Sequence, residues 1–213
     1  MEIFHCEQNS EEWLRARMGI PTASAFSQIL AKGEGKTRRT YMLKLAGEII
    51  TGEPMERFSN EHTERGHAME AEARDLYAFQ TRAELERVGF IRNGRAGCSP
   101  DSLIGEHGGL EVKTKLPHLL IDVILKDEIP PEHKAQVQGT LWLTGRQWWD
   151  VAIYWPGIPL FVKRAIRDEG YIANLAGAVK TFTEELDVVV STIRQHSGST
   201  LLDDLKKSVE VPA

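Results

Sequence analysis

Apolar positions change their spacing twice along this 213-residue chain, and each spacing predicts a different structure. The first eighty residues show helical recurrence. Asn9-Ser10-Glu11-Glu12-Trp13-Leu14 has the form of a helix start, with Ser10 or Asn9 able to cap and two acids in the first turn. Gly19 and Pro21 should end that helix. Thr22-Ala23-Ser24 opens a second through Phe26, Ile29 and Leu30. A Gly/Lys loop at 32–36 leads to a helix of about Thr40 to Ile50, broken by Gly52-Glu53-Pro54. A longer helix is expected from about Asn60 to Gln80, with Met69, Ala73, Leu76 and Tyr77 on its buried stripe.

From residue 88 the apolar runs shorten. Val88-Gly89-Phe90-Ile91, Ala96 to Pro100 and Leu103-Ile104 are punctuated by Gly, Asn and Pro and read as antiparallel strands with tight turns. Leu110-Glu111-Val112-Lys113-Thr114 alternates with period two, and His133 to Leu143 is helical. Asp150 to Trp155 and Leu160-Phe161-Val162 read as further strands. Helical spacing then returns in Ile172, Leu175, Val179, Phe182, Leu186, Val189 or Val190, and Ile193. Beyond Ser197-Gly198-Ser199 a weakly structured tail or short final helix is expected. Helices, a small sheet and then alternating elements predict one mixed α/β domain over 1–213: a helical part (about 8–80), a sheet core (about 85–165) and a C-terminal helix (about 168–196).

Composition narrows the class without naming a function. A hydrophobic share of 41% and a charged share of 27% fit a globular chain and argue against disordered, collagen-like and membrane proteins. No apolar run approaches a membrane span, and residues 1–7 do not resemble a signal peptide. Cys6 and Cys98 make neither a disulfide framework nor a CxxC metal pattern, so a cytoplasmic setting is expected.

Charge changes the picture. The net charge is −5, yet residues 13–44 hold Arg15, Arg17, Lys32, Lys36, Arg38, Arg39 and Lys44 against Glu34 alone. That segment is +6 and leaves the remainder at −11 against the total of −5. A basic segment on an acidic body can form a local phosphate-binding surface.

The densest chemistry lies in Ser99-Pro100-Asp101 and Glu111-Val112-Lys113. Residues i and i+2 of a strand share a face, so Glu111 and Lys113 converge, with Asp101 brought in by a hairpin. Two carboxylates, with the Val112 carbonyl between them in sequence, make a hard-oxygen site suited to Mg²⁺ or Mn²⁺. A lysine beside them can position an attacking water and stabilise developing negative charge, which suits phosphodiester hydrolysis. Such residues also occur on solvated surfaces, but Leu110 and Val112 half-bury this strand and Gly108-Gly109 permits close backbone approach. Gln136 and Gln138 sit about 200° apart on a helix, so one of them should face the site. Gly66 is unusual inside a helical run, and Glu70 beyond it is a candidate third carboxylate. Gly33-Glu34-Gly35-Lys36-Thr37 is not a P-loop, because the glycine needed five positions before Gly35 is Leu30. Cys98 reads as a buried small side chain, and Trp142, Trp148, Trp149 and Trp155 as core or subunit contacts.

Taken in order, Trp13, Arg17 to Ser24, Gly66-His67-Ala68-Met69-Glu70, Cys98-Ser99-Pro100-Asp101, Leu110 to Lys113, Ala135-Gln136-Val137-Gln138 and Trp142 closely resemble the phage lambda-type exonucleases, the YqaJ-like viral recombinase nucleases. The resemblance spans roughly residues 8–185 and places the chain in the PD-(D/E)xK nuclease superfamily, which implies a restriction-endonuclease-like mixed sheet flanked by helices. It implies a Mg²⁺-dependent nuclease that digests linear double-stranded DNA from its 5′ ends, releases mononucleotides and leaves a 3′ single strand. Asp101 and Glu111 match the metal-binding acids, Lys113 the catalytic lysine and Gln136 a residue near the nucleophilic water. Glu70 matches the helix acid that completes the site, and Arg17 and Ser24, with Thr22 in the same block, match a 5′-phosphate pocket. Lys36, Arg38 and Arg39 fall where the family meets incoming DNA. Two metal ions, a homotrimeric ring and a single-strand annealing partner are implied as well. One departure is that residues 91–95 carry no carboxylate where relatives can have one, and Ser102 stands where Gly is frequent. The alternatives are an endonucleolytic or structure-specific nuclease of the same superfamily and a silent DNA-binding module.

Overall fold

A computed structural model describes residues 1–31, 36–55 and 61–209, with side chains for all of these except 61–67 and 197–209. The loop at 32–35 and the side chain of His67 therefore lie outside the described residues. In chain order the elements are β1 (Glu2–Phe4), α1 (Glu11–Arg17), α2 (Phe26–Ile29), α3 (Lys36–Thr51), α4 (Glu61–Thr81), β2 (Phe90–Asn93), β3 (Ala96–Cys98), β4 (Ser102–Ile104), β5 (Gly108–Thr114), α5 (Pro117–Lys126), α6 (Lys134–Thr144), β6 (Trp148–Tyr154), β7 (Phe161–Ile166) and α7 (Glu169–Val209). Short 3₁₀ turns at Ala23–Ala25 and Pro131–His133 lead into α2 and α6.

The strands form a four-stranded mixed sheet, β4-β5-β6-β7, and a three-stranded antiparallel sheet, β1-β2-β3. In the larger sheet β5 runs antiparallel to β4 and parallel to β6. A parallel neighbour requires a crossover, which α5 and α6 supply. The principal core joins α2, α3, α6 and α7 to one side of the sheets through Phe26, Leu141, Trp149 and Phe182. A second cluster packs Met69, Ala73 and Tyr77 of α4 on Leu110, Val112, Ala152 and Tyr154. Helices on both faces of a mixed sheet make the restriction-endonuclease-like arrangement expected from the sequence.

Several boundaries differ from the sequence expectation. The helix expected from Thr22 is a 3₁₀ turn followed by one turn of α-helix. Thr22 stays extended because its N–H donates to Tyr41 Oη and the Gly97 N–H donates to Pro21 O. α3 starts at Lys36, four residues early, and Arg38 in its first turn makes a two-pronged ion pair with Glu185 of α7. α5, Pro-His-Leu-Leu-Ile-Asp-Val-Ile-Leu-Lys, with His118, Asp122 and Lys126 recurring at every fourth position on one polar face, was not anticipated, and neither was the three-residue β1. α7 continues past Ser197-Gly198-Ser199 to Val209 instead of ending near 196. Extending a formed helix costs far less than nucleating one, and no proline intervenes before Pro212.

Gly108 and Gly109 do what a close approach requires. A Cβ at Gly108 would enter the Trp148 indole, and one at Gly109 the fully buried Trp149 indole. Gly109→Ala is therefore expected to destabilise by about 1–3 kcal/mol through overpacking. Gly177→Ala, on an exposed stretch of α7 with open space around the new methyl, should be neutral or stabilising by up to about 1 kcal/mol. Paired thermal melts check both; equal melting temperatures for the two variants would contradict the packing argument.

Candidate active site

β4 begins at Ser102, which pairs with Leu110. Continuing that register one step sets Asp101 opposite Glu111, so the edge of β5 is left uncovered by a strand from this point on. The Asp101 side chain takes the place of the missing strand: Oδ2 accepts the Val112 N–H at 2.5 Å. A strand residue's N–H and C=O leave on the same side, so the Val112 carbonyl faces this edge too.

Glu111 is buried, at 4% exposure, and its Oε1 receives two donors. Lys113 Nζ donates to it at 2.7 Å from the same face of β5, and Gln136 Nε2 donates to it from α6. Gln138 points elsewhere, donating to the Ile166 carbonyl and accepting the Asp168 N–H. The two glutamines thus divide as the helical angle requires. α6 is placed by its left-handed end at Gly145, whose N–H donates to Leu141 O, and by Gly139, which lets the Phe26 ring lie against the helix.

Glu70 reaches the site from α4 with its carboxylate paired to Arg74 one turn on. Its charge still acts on Asp101 and Lys113. Asp101 has its carboxyl held well above the usual range, first by burial and then by the charges of Glu111 and Glu70, with Lys113 and the Val112 N–H opposing. Burial lowers the Lys113 ammonium, but Glu111, Asp101 and Glu70 outweigh it and the net shift is upward. Burial and the Glu111 charge push the Cys98 thiol up, so it behaves as a small buried side chain.

Among the described residues no three His, Cys, Asp or Glu side chains lie close enough together to hold a metal ion by themselves. The donors that do converge are Asp101, Glu111 and the Val112 edge, all hard oxygens. Burial and then the charges of Glu111 and Glu70 raise the Asp101 carboxyl, and a divalent cation would offset that crowding of negative charge, so the donor set fits Mg²⁺ or Mn²⁺.

The basic segment forms a separate pocket. Arg17, Thr22, Tyr41, Lys44 and Glu48 line it, and the Arg17 guanidinium lies 4.1 Å from the Trp13 ring centroid. Ser24 is exposed inside the 3₁₀ turn, its hydroxyl 3.2 Å from that of Thr22, so it does not occupy the helix N-terminus expected of it. Lys36 and Arg39 are exposed at the start of α3, whereas Arg38 is committed to Glu185. Tyr41 and Lys44 were not among the expected pocket residues; their spacing of three on one helix was the available signal. His133, one turn before Gln136, feels the charge of Lys113.

Comparison with known proteins places the site in context. A YqaJ-like viral recombinase domain is matched over residues 12–147. The fold superposes on LHK-Exo, an alkaline exonuclease from Laribacter hongkongensis, with TM-score 0.82, 30% identity and coverage of 90% of this chain and all of that one. The LHK-Exo complex with dAMP gives TM-score 0.83 and 31% identity over the same shares. A phage-related exonuclease from Haemophilus somnus 129PT shares the fold at 14% identity and TM-score 0.64, over 82% of this chain and 96% of that one. Comparison with curated protein sequences gives no match. Among the described residues no helix is long and apolar enough to cross a membrane.

The raised Asp101 pKa has a signed consequence for stability. Between the unfolded value, about 3.9, and the raised folded value, the unfolded chain ionises first. Stability of the metal-free protein is therefore lost as pH rises through that window. Asp101→Asn should raise the metal-free melting temperature at pH 7.5 by a few degrees, on the order of 2–4 °C per kcal/mol, with the gap closing near pH 4. Added Mg²⁺ should stabilise the wild type and not the variant. Calorimetric melts at the two pH values, with and without Mg²⁺, measure this; a variant less stable at pH 7.5 would contradict it.

Proposed function

The chain belongs to the YqaJ-like viral recombinase family of PD-(D/E)xK nucleases, and from that premise we propose that it is a Mg²⁺-dependent 5′→3′ exonuclease on linear double-stranded DNA. The observation that carries the reading is the convergence of Lys113 and Gln136 on one oxygen of the buried Glu111, with Asp101 directly opposite. Each residue then has a physical task. Asp101, Glu111 and the Val112 carbonyl hold the cation, and Glu70 adds negative charge beside them. Bound there, Mg²⁺ would lower the pKa of an attacking water and balance charge on the phosphate. Lys113 orients the water and stabilises charge developing on the phosphoryl oxygens. Gln136 fixes Glu111 and lies within reach of the same water.

Arg17, with Thr22 and Ser24 nearby, receives the 5′-phosphate, and Lys36 and Arg39 line the approach of the duplex. Trp13 supports this arrangement mechanically. Its indole N–H is shared between Gly89 O and Ser99 Oγ, while Arg17 lies over its ring. The phosphate pocket is thereby tied to the segment two residues before Asp101. The similarity to an alkaline exonuclease with bound dAMP supports release of mononucleotides. A homotrimeric ring, working with a single-strand annealing protein, belongs to the same reading. The apolar side chains of Leu119, Ile121 and Leu125, exposed on α5, are a surface for a second copy to cover.

Linear duplex with and without a 5′-phosphate, and a closed circle, each with Mg²⁺ or chelator, test the reaction. Metal-dependent loss of the phosphorylated linear duplex alone, with mononucleotide products, is expected. Lys113→Ala should lose at least about a hundredfold in rate while retaining DNA binding. Nicking of the circle would point to an endonuclease, and binding without cleavage to a silent module. Light scattering is expected to give three times the 24.0 kDa chain mass, reduced in Leu125→Glu; a monomer at micromolar concentration would overturn the ring.

A further inference from the structure

The stretch from Glu132 to Gln136 runs along one face of β5 and lays three pairs side by side. Gln136 meets Glu111, and Glu132 meets Lys115 at 2.7 Å. Between them in sequence stands His133, and the Lys113 ammonium is the strongest charge acting on its imidazole. Strand residues 111, 113 and 115 share a face, and 133 and 136 are one helical turn apart, so the geometry is regular.

The outer two pairs are hydrogen-bonded and the middle one is not. His133 Nε2 is buried and, among the described residues, has no hydrogen-bond partner. Its approach to Glu132 Oε1 is 4.0 Å, and that carboxylate is engaged by Lys115. Nor does the side chain cap α6, although His133 stands at the capping position. Stability of the fold therefore does not account for the imidazole. A buried polar atom without a partner is costly, so its presence there calls for a partner in another state. Burial, and then the Lys113 charge, hold the imidazolium pKa down to about 4, so the ring is neutral at working pH and is no general acid.

Lys113 supplies the missing half. Its ammonium has three donors, and one is given to Glu111 Oε1, the oxygen that Gln136 also uses. A cation held by Glu111 would compete for that oxygen. We propose that His133 is a positioning residue for Lys113: its Nε2 accepts a hydrogen bond from the Lys113 ammonium when Glu111 turns to a divalent cation, keeping the ammonium aimed at the reacting phosphate. The inference rests on the nuclease reading above and extends it to a residue outside the acid–lysine set. It requires the tautomer with the proton on Nδ1.

The test combines nitrogen NMR of the full-length protein with kinetics. Imidazole ¹⁵N spectra, without DNA, are recorded with and without Mg²⁺. Wild type should show an unprotonated Nε2 whose resonance moves towards the hydrogen-bonded range on adding Mg²⁺, and the shift should vanish in Lys113→Met. His133→Gln can offer its amide oxygen in the same place and should keep kcat within about threefold, whereas His133→Phe should lose about tenfold or more in kcat with KM unchanged. Both variants should melt within a few degrees of wild type. A protonated Nε2, a shift that persists in Lys113→Met, or full kcat in a folded His133→Phe would each overturn the proposal. Absence of nuclease activity in the wild type would instead sink the nuclease reading, and the Mg²⁺ response of Nε2 would still report on the pairing.

Discussion

Asp101 and Glu111 face one another at the end of β4, largely out of water, with the charge of Glu70 felt at Asp101 and only Lys113 set against them from the same strand face. Carboxylates crowded together away from water repel more strongly than they would in water. The rest of the structure supplies what that arrangement lacks. β6 supports β5 on its far edge through five paired positions, α4 packs beneath Leu110 and Val112, and α6 brings the Gln136 amide to Glu111. A cation relieves the repulsion that the metal-free protein carries, so the same strain that costs stability prepares the site to bind.

A second consequence concerns how the two halves of the site keep their spacing. The N-terminal helix is capped by Ser10, whose hydroxyl accepts the Trp13 N–H, and Trp13 then bonds both Gly89 and Ser99. Arg17 lies on the same ring. A buried indole with two acceptors is a stiff connector between α1 and the segment before Asp101.

α7 plays the corresponding role on the opposite flank. Its buried stripe of Ile172, Leu175, Val179, Phe182, Leu186 and Val190 docks the helix against α3 and α6, and Glu185 holds Arg38. The basic segment that the sequence shows as one block is consequently divided: Arg17 and Lys44 line a pocket, Arg38 pairs with Glu185, and Lys36 and Arg39 remain on the surface.

Wherever local periodicity is strong, the sequence by itself determined the outcome. The period of two placed Glu111 and Lys113 on one face, the 3.6 period separated Gln136 from Gln138, and the stripe of α7 was legible from Ile172 to Val190. The ordered motifs also disclosed the family. Only the tertiary structure decided what depends on distant partners. Thr22 remains extended because of Tyr41, Arg38 is half-buried in an ion pair with Glu185, and Glu70 pairs with Arg74. The polar face of α5, His118, Asp122 and Lys126, is legible at a four-residue spacing, whereas the charge of Lys113 acts on His133 from a strand about twenty residues earlier in the chain. Periodicity is a property of neighbours along the chain, whereas charge pairing and desolvation belong to neighbours in space, and only folding brings those together.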